Sequence, residues 1–234
     1  MSEQSTRNAT RAVRRKRSPV YRVFLVDDHP IVRSGLSQLV SQEDDLEVCG
    51  GTSSAEEALS RIEKARPDIV LLDISLHDGN GLEIARTLQA QCPNVRILIL
   101  SMHDESIYAE RALRAGARGY VMKQEAPETV LDAIRTVLEG DVYLSPRMTS
   151  AFLRQIVTGG SEQSRVGVKR LSDRELEVFQ LVGQGLSTRE IAERFHLSVK
   201  TVETHRSRIK TKLGLRSSAE LTHHAVHWEQ MHSA

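Results

Sequence analysis

Three aspartates, a serine and a lysine carry the chemistry most worth following in this chain. Asp27 and Asp28 are adjacent, Asp73 follows Leu71-Leu72, Ser101 follows Ile97-Leu98-Ile99-Leu100, and Lys123 follows Tyr120-Val121-Met122. Carboxylates gathered at one place repel one another unless a proton or a cation intervenes. Lys123 supplies one positive charge. Mg²⁺, which takes carboxylate, carbonyl and water oxygens, would supply more. A carboxylate in that setting can attack an electrophilic phosphorus and become an acyl phosphate. The metal and the ammonium would then stabilise charge on the equatorial oxygens, while the hydroxyl bonds a phosphoryl oxygen. Singly, an Asp after a strand is a turn former or helix cap, Ser101 caps the next helix and Lys123 is a surface charge. Their joint placement after successive apolar runs argues for a site.

The elements that must position these residues alternate. Apolar, β-rich runs lie at 22–26, 46–50, 69–72, 96–100 and 118–122, with helix-period segments at 30–42, 55–66, 81–91, 105–116 and 126–139. This rhythm predicts an α/β fold, a flavodoxin-like doubly wound five-stranded parallel sheet covered on both faces. Sites in such sheets form beyond the carboxyl ends of the strands, where the five residues fall. His29-Pro30 reads as the start of the first helix, and a ligand role for His29 is weak because imidazole suits Mg²⁺ poorly.

Residues 22–138 resemble the receiver domain of bacterial two-component response regulators. The resemblance rests on Val26-Asp27-Asp28-His29-Pro30, Leu72-Asp73-Ile74, Ser101 and Gly116 to Lys123, with 28 residues from Asp73 to Ser101 and 22 from Ser101 to Lys123. It implies that Asp73 is the phosphoacceptor. Asp27 and Asp28 would hold Mg²⁺ with Asp73 and the main-chain carbonyl of Ser75. Ser101 would be the switch hydroxyl, Lys123 the phosphate-pairing lysine and Tyr120 the switch aromatic. The donor would be a sensor histidine kinase. One position departs: many receivers place proline four residues after the phosphoacceptor, where this chain has His77. The run Asp78-Gly79-Asn80-Gly81 is expected to turn flexibly. Ser75 and His103, each two places after a site residue, are expected to tune attack of water on an acyl phosphate.

After residue 139 the rhythm stops. Residues 139–164 read as a linker holding one short amphipathic helix (Met148, Phe152, Ile156, Val157), then a flexible joint at Gly159 to Ser164. Residues 165–230 carry no strand signal, only helix starts. Ser172-x-x-Glu175, Ser187-x-x-Glu190 and Ser217-x-x-Glu220 are capping boxes, and Ser198 is a good N-cap. The pair at 188–195 and 199–213 suggests a helix-turn-helix in a second, all-α four-helix domain. On the longer helix Val202, Ile209 and Leu213 form one stripe, with hydrogen-bonding side chains opposite and Lys210 and Lys212 flanking, as major-groove insertion requires. Leu171 to Trp228 resembles the DNA-binding domain of the LuxR/NarL/FixJ class, through Leu171 to Val178, Glu190-Ile191-Ala192, Leu197 to His205 and Lys212 to Leu215. That resemblance implies base-facing roles for Glu203, Thr204 and Ser207. It implies backbone contacts for Lys200, Thr201, His205, Arg206 and Arg208. It also implies a homodimer formed through the last helix on double-stranded DNA.

Charge agrees with two modules. The net +1 conceals +5 over residues 1–20, −8 over 21–140 and +4 over 165–234. The basic third suits a polyanion and the acidic body does not. Residues 1–20, with Arg14-Arg15-Lys16-Arg17, read as a basic disordered tail. No apolar run approaches the ~20 residues of a membrane span, and the basic start lacks the apolar core of a secretory signal. Cys49 and Cys92 form neither a disulfide framework nor a metal set. A cytoplasmic location is therefore expected. The overall expectation is a phosphorylation-switched DNA-binding regulator and not an enzyme. A Mg²⁺-dependent phosphatase needs a general acid near its nucleophile, and Ser75 stands where one would be placed. A third option is a DNA-binding protein that uses the receiver only as a scaffold.

Overall fold

The computed structural model describes residues 19–157, 167–195 and 197–232; the basic tail to residue 18 and the joint at Gly159 to Ser164 lie outside them. The five apolar runs become strands β1 (Tyr21–Val26), β2 (Leu46–Thr52), β3 (Ile69–Leu72), β6 (Arg96–Ser101) and β7 (Gly119–Met122), parallel and ordered β2-β1-β3-β6-β7. Every residue of β3 is buried, as a central strand with both faces covered must be. Helices α1 (Pro30–Ser41) and α5 (Pro127–Glu139) cover one face. Helices α2 (Ala55–Ala65), α3 (Gly81–Gln91) and α4 (Glu105–Arg114) cover the other.

Register does the positioning. Val26 lies opposite Leu72, so Asp27 and Asp73 leave the sheet side by side. Ser101 lies opposite Met122, so Lys123 follows at the same edge, and its N–H donates to the Ser101 carbonyl at 2.9 Å.

The run after Asp73 differs from the sequence expectation. It is not a loose turn. Two short strands, β4 (Ser75–Leu76) and β5 (Gly79–Asn80), pair antiparallel. The Asp78 carboxylate accepts from the Ser54 hydroxyl at 2.6 Å and the Ala55 N–H at 2.8 Å, so the turn is pinned to the N-terminus of α2. Gly81 closes it. A Cβ there would stand 2.0 Å from the Asp73 carbonyl oxygen. The His77 departure leaves the loop anchored, because its neighbour Asp78 holds it.

Gly140, at φ +101°, ends α5 in the left-handed region that glycine favours. Helix α6 (Pro146–Val157) is the predicted linker helix, with its apolar stripe only partly used. Met148 is buried, whereas Ile156 and Val157 are 74% and 84% exposed. A short 3₁₀ turn, Gly167–Arg170, leads into α7 (Asp173–Gly183), α8 (Thr188–Arg194), α9 (Val199–Leu213) and α10 (Ser218–His232). Both Ser172-Glu175 and Ser187-Glu190 form reciprocal capping boxes. Phe179 of α7 packs edge-on against Trp228 of α10 at 5.7 Å. The two domains share one buried apolar cluster, in which Ile107 and Tyr108 of α4 belong with Leu171, Leu176 and Phe179. Among the described residues no helix is long and apolar enough to cross a membrane.

Candidate functional sites

At the carboxyl end of the sheet Asp27 and Asp73 are buried, and the Lys123 ammonium sits 2.7 Å from an oxygen of each. Burial pushes the Asp73 carboxyl up to about 6, against the pull of Lys123. Asp28 Oδ1 is buried and has no hydrogen-bond partner, although His29 Nδ1 lies 2.8 Å away. The same ring nitrogen is 3.2 Å from Asp27 and 3.9 Å from Asp73. One potential ligand atom from each of Asp27, Asp28, His29 and Asp73 falls within a span of 4.8 Å. An orphaned buried carboxylate oxygen among other hard oxygens fits a small divalent cation such as Mg²⁺. His29, set aside on sequence grounds, therefore stands at the same place, and Pro30 opens α1 as expected.

The remaining predicted residues surround this cluster. Ser101 is fully buried, and its hydroxyl accepts from the His103 N–H at 3.3 Å. The cap of α4 is Asp104, so Ser101 does not serve as one. Ser75 is exposed, and its N–H is 3.4 Å from Asp73 Oδ1. Tyr120 is buried and donates its hydroxyl to the His103 carbonyl at 2.7 Å.

Ser75 and His103, 28 residues apart in sequence, meet at 2.6 Å between hydroxyl and Nε2. Burial, with a smaller contribution from Lys123, pushes the His103 imidazole down to about 4, so it is neutral at physiological pH. Its ring stacks on Tyr108 at 4.6 Å. The Tyr108 hydroxyl donates to Gln180 Oε1 of α7 at 2.7 Å, across the domain boundary. Other bonds cross the same boundary. Arg111 reaches Asp173 and the Leu171 carbonyl, both at 2.7 Å, Arg86 also binds Asp173, and Asn80 binds Glu177. Sequence reasoning missed Tyr108, Gln180 and Asp173. The one local signal was Gln180 itself, a polar residue in the apolar run Val178-Phe179-Gln180-Leu181-Val182.

On α9, Val202 and Ile209 are fully buried and Leu213 partly so, as the helical wheel requires. Lys200, Glu203, Thr204, Ser207 and Arg208 are exposed, while Thr201, His205 and Arg206 are half-buried. Ser198 caps the helix through the Thr201 N–H. The Thr204 hydroxyl donates back to the Lys200 carbonyl at 2.9 Å. Lys212 does not flank the outward face. It turns inward to Glu175 at 2.6 Å.

Two family models match the chain. Residues 23–135 match the response regulator receiver domain, and residues 169–225 match the bacterial regulatory proteins of the luxR family. The oxygen regulatory protein NreC of Staphylococcus carnosus is 37% identical over 209 residues, which cover 88% of this chain and 96% of that protein. The solved structure of RcsB from Salmonella enterica serovar Typhimurium, bound to promoter rprA with the phosphomimetic BeF3⁻, is 26% identical. It superposes with a TM-score of 0.62 over 88% of this chain and 98% of that one. A LuxR-family two-component response regulator from Aurantimonas sp. is 36% identical, with a TM-score of 0.55 over 59% of this chain and 99% of that one. A parallel-sheet receiver joined to a helix-turn-helix domain, with relatives alike along nearly its whole length, places this chain among the NarL/FixJ-family two-component response regulators, DNA-binding transcription regulators and not enzymes.

Proposed function

We propose that Asp73 accepts a phosphoryl group from the phosphohistidine of a sensor histidine kinase in the cytoplasm, and that this modification controls operator binding by the C-terminal domain. The observation that carries the reading is the buried Lys123 ammonium held equally by Asp27 and Asp73. In the transfer, an Asp73 oxygen forms a bond to phosphorus while the P–N bond breaks, and the imidazole leaves with a proton. Asp27, Asp28, Asp73 and the Ser75 carbonyl would hold Mg²⁺, which when bound neutralises charge on the phosphoryl oxygens. Lys123 is already within reach of the new phosphoryl oxygens. The Ser101 hydroxyl turns toward one of them, and Tyr120 and His103, both bonded around that loop, move with it. His103 stacks on Tyr108, so the change arrives at Gln180 in the second domain, a local charge event biasing a two-state element.

The proposed division is a receiver at 21–138, a linker at 139–164 and a DNA-binding domain at 165–230. On DNA, Glu203, Thr204 and Ser207 read base edges, while Lys200, Thr201, His205, Arg206 and Arg208 hold the backbone of an operator engaged by a homodimer. Intact-protein mass after incubation with Mg²⁺ and a small acyl phosphate tests the first step. One added phosphoryl group is expected, absent without Mg²⁺ and absent in Asp73→Asn. Equal incorporation in Asp73→Asn would overturn it. Lys200→Ala is expected to weaken binding to all DNA sequences alike, and a loss confined to one base pair would count against a backbone role.

A further inference from the structure

A cavity of about 330 Å³ lies at the junction of the two domains. Its receiver wall carries Arg86 of α3 with Arg111 and Arg114 of α4, and its opposite wall carries Lys169, Arg170 and Lys212. Two carboxylates line it, Glu110 and Asp173. Both are committed. Glu110 pairs with Arg114 at 2.5 Å, and Asp173 is divided between Arg86 and Arg111. Lys212 is neutralised by Glu175. Lys169 and Arg170 are exposed, and no carboxylate of the described residues lies within ion-pair distance of either. The first turn of α7, with Ser172 and Asp173, also faces the cavity and adds the positive end of an 11-residue helix. Cations from two domains thus line one gap, four of the six paired with Asp173, Glu110 or Glu175 and two, Lys169 and Arg170, without an acid partner among the described residues.

We propose that this cavity binds a small polyphosphate anion, with its phosphoryl groups bridging the arginines of α3 and α4 to Lys169 and Arg170. Guanidinium forks match phosphate oxygens in pairs, and several cations around one half-open cleft suit a ligand that concentrates charge in little volume. The volume is at the small end of ligand pockets and too narrow for duplex DNA. The apolar residues of the lining are Ile107 and Leu171, both buried, and no aromatic ring among the described residues lines it. It offers no platform for a base, so the diphosphate unit is the recognised chemistry, free or at the end of a nucleotide. Because the cations come from both domains, the ligand binds the docked arrangement and raises its population. This proposal is independent of phosphorylation at Asp73.

The test is isothermal titration of the full chain with pyrophosphate at low salt without Mg²⁺, beside Lys169→Gln/Arg170→Gln and Lys200→Gln/Arg208→Gln. One site is expected in the unaltered protein, at least tenfold weaker in the first variant and unchanged in the second. No binding, or a loss confined to the α9 variant, overturns the proposal. Hydrogen exchange supplies the second readout. Pyrophosphate is expected to slow exchange in α4 and α7 together, and binding without such slowing overturns the bridging role. Replacing pyrophosphate with a nucleoside diphosphate separates the sources. Equal affinity supports the free anion, and tighter binding supports the nucleotide.

Discussion

At the scale of single residues, the site depends on one ammonium. Lys123 separates Asp27 and Asp73, and its removal would leave two buried carboxylates facing each other. Lys123→Met is expected to cost about 3–5 kcal/mol in urea unfolding without divalent ions, the cost of breaking a buried pair, with part restored by Mg²⁺. Loss of stability unaffected by Mg²⁺ would argue against a cation among these acids. The Ser75 N–H lies 3.4 Å from Asp73 Oδ1, and the Ser75 hydroxyl is bonded to His103. Replacing both with alanine is expected to quicken hydrolysis of the acyl phosphate, read as the decay of the phosphorylated mass, and an unchanged rate would exclude them. The acids, Ser101 and Lys123 were legible in sequence because each directly follows an apolar strand, and strand ends are where such sheets build sites. The surroundings of His103 were not legible. Its partners Ser75 and Tyr108 belong to β4 and α4, and no local pattern links a histidine to a tyrosine ring five residues on.

At the scale of elements, caps and turns were the most readable features where the partner is three residues away. Ser172-x-x-Glu175 and Ser187-x-x-Glu190 form the boxes their spacing predicts. Ser172→Ala is expected to cost about 0.5–2 kcal/mol in thermal or urea unfolding, the ordinary worth of an N-cap. Partners far away in sequence hid the opposite case. Asp78 looked like part of a mobile Asp-Gly-Asn-Gly turn, yet its carboxylate is spent on the N-terminus of α2. Gly81 is the backbone counterpart of that anchor. Gly81→Ala is expected to destabilise the receiver by about 1–3 kcal/mol, because the new methyl must displace the Asp73 carbonyl. The same variant should slow phosphoryl incorporation, since the displaced carbonyl belongs to the proposed phosphoacceptor.

At the scale of the whole molecule, the charge asymmetry of the sequence announced two modules with different partners but not how they dock. Docking is specified by side chains whose individual types are ordinary: Tyr108, Arg111, Gln180 and Asp173, no two in one segment-length motif across the boundary. Tyr108→Phe leaves the apolar ring in place and strips Gln180 of its buried donor, at a cost of about 1 kcal/mol or more. Faster hydrogen exchange confined to α4 and α7 is the expected reading, with the sheet unaffected. Exchange that quickens uniformly would instead indicate global destabilisation.

The receiver docks through α7, and the outward side chains of α9 stay in solvent. Control then does not rest on burial of these side chains against the receiver. If phosphorylation leaves their exposure unchanged, nonspecific affinity and its salt slope are expected to be the same before and after it, by titration across a range of salt concentrations. On the proposed function, modification would change reach, the freedom of two heads to settle one helical turn apart. The protein would therefore travel along DNA in either state and stop at its operator in only one.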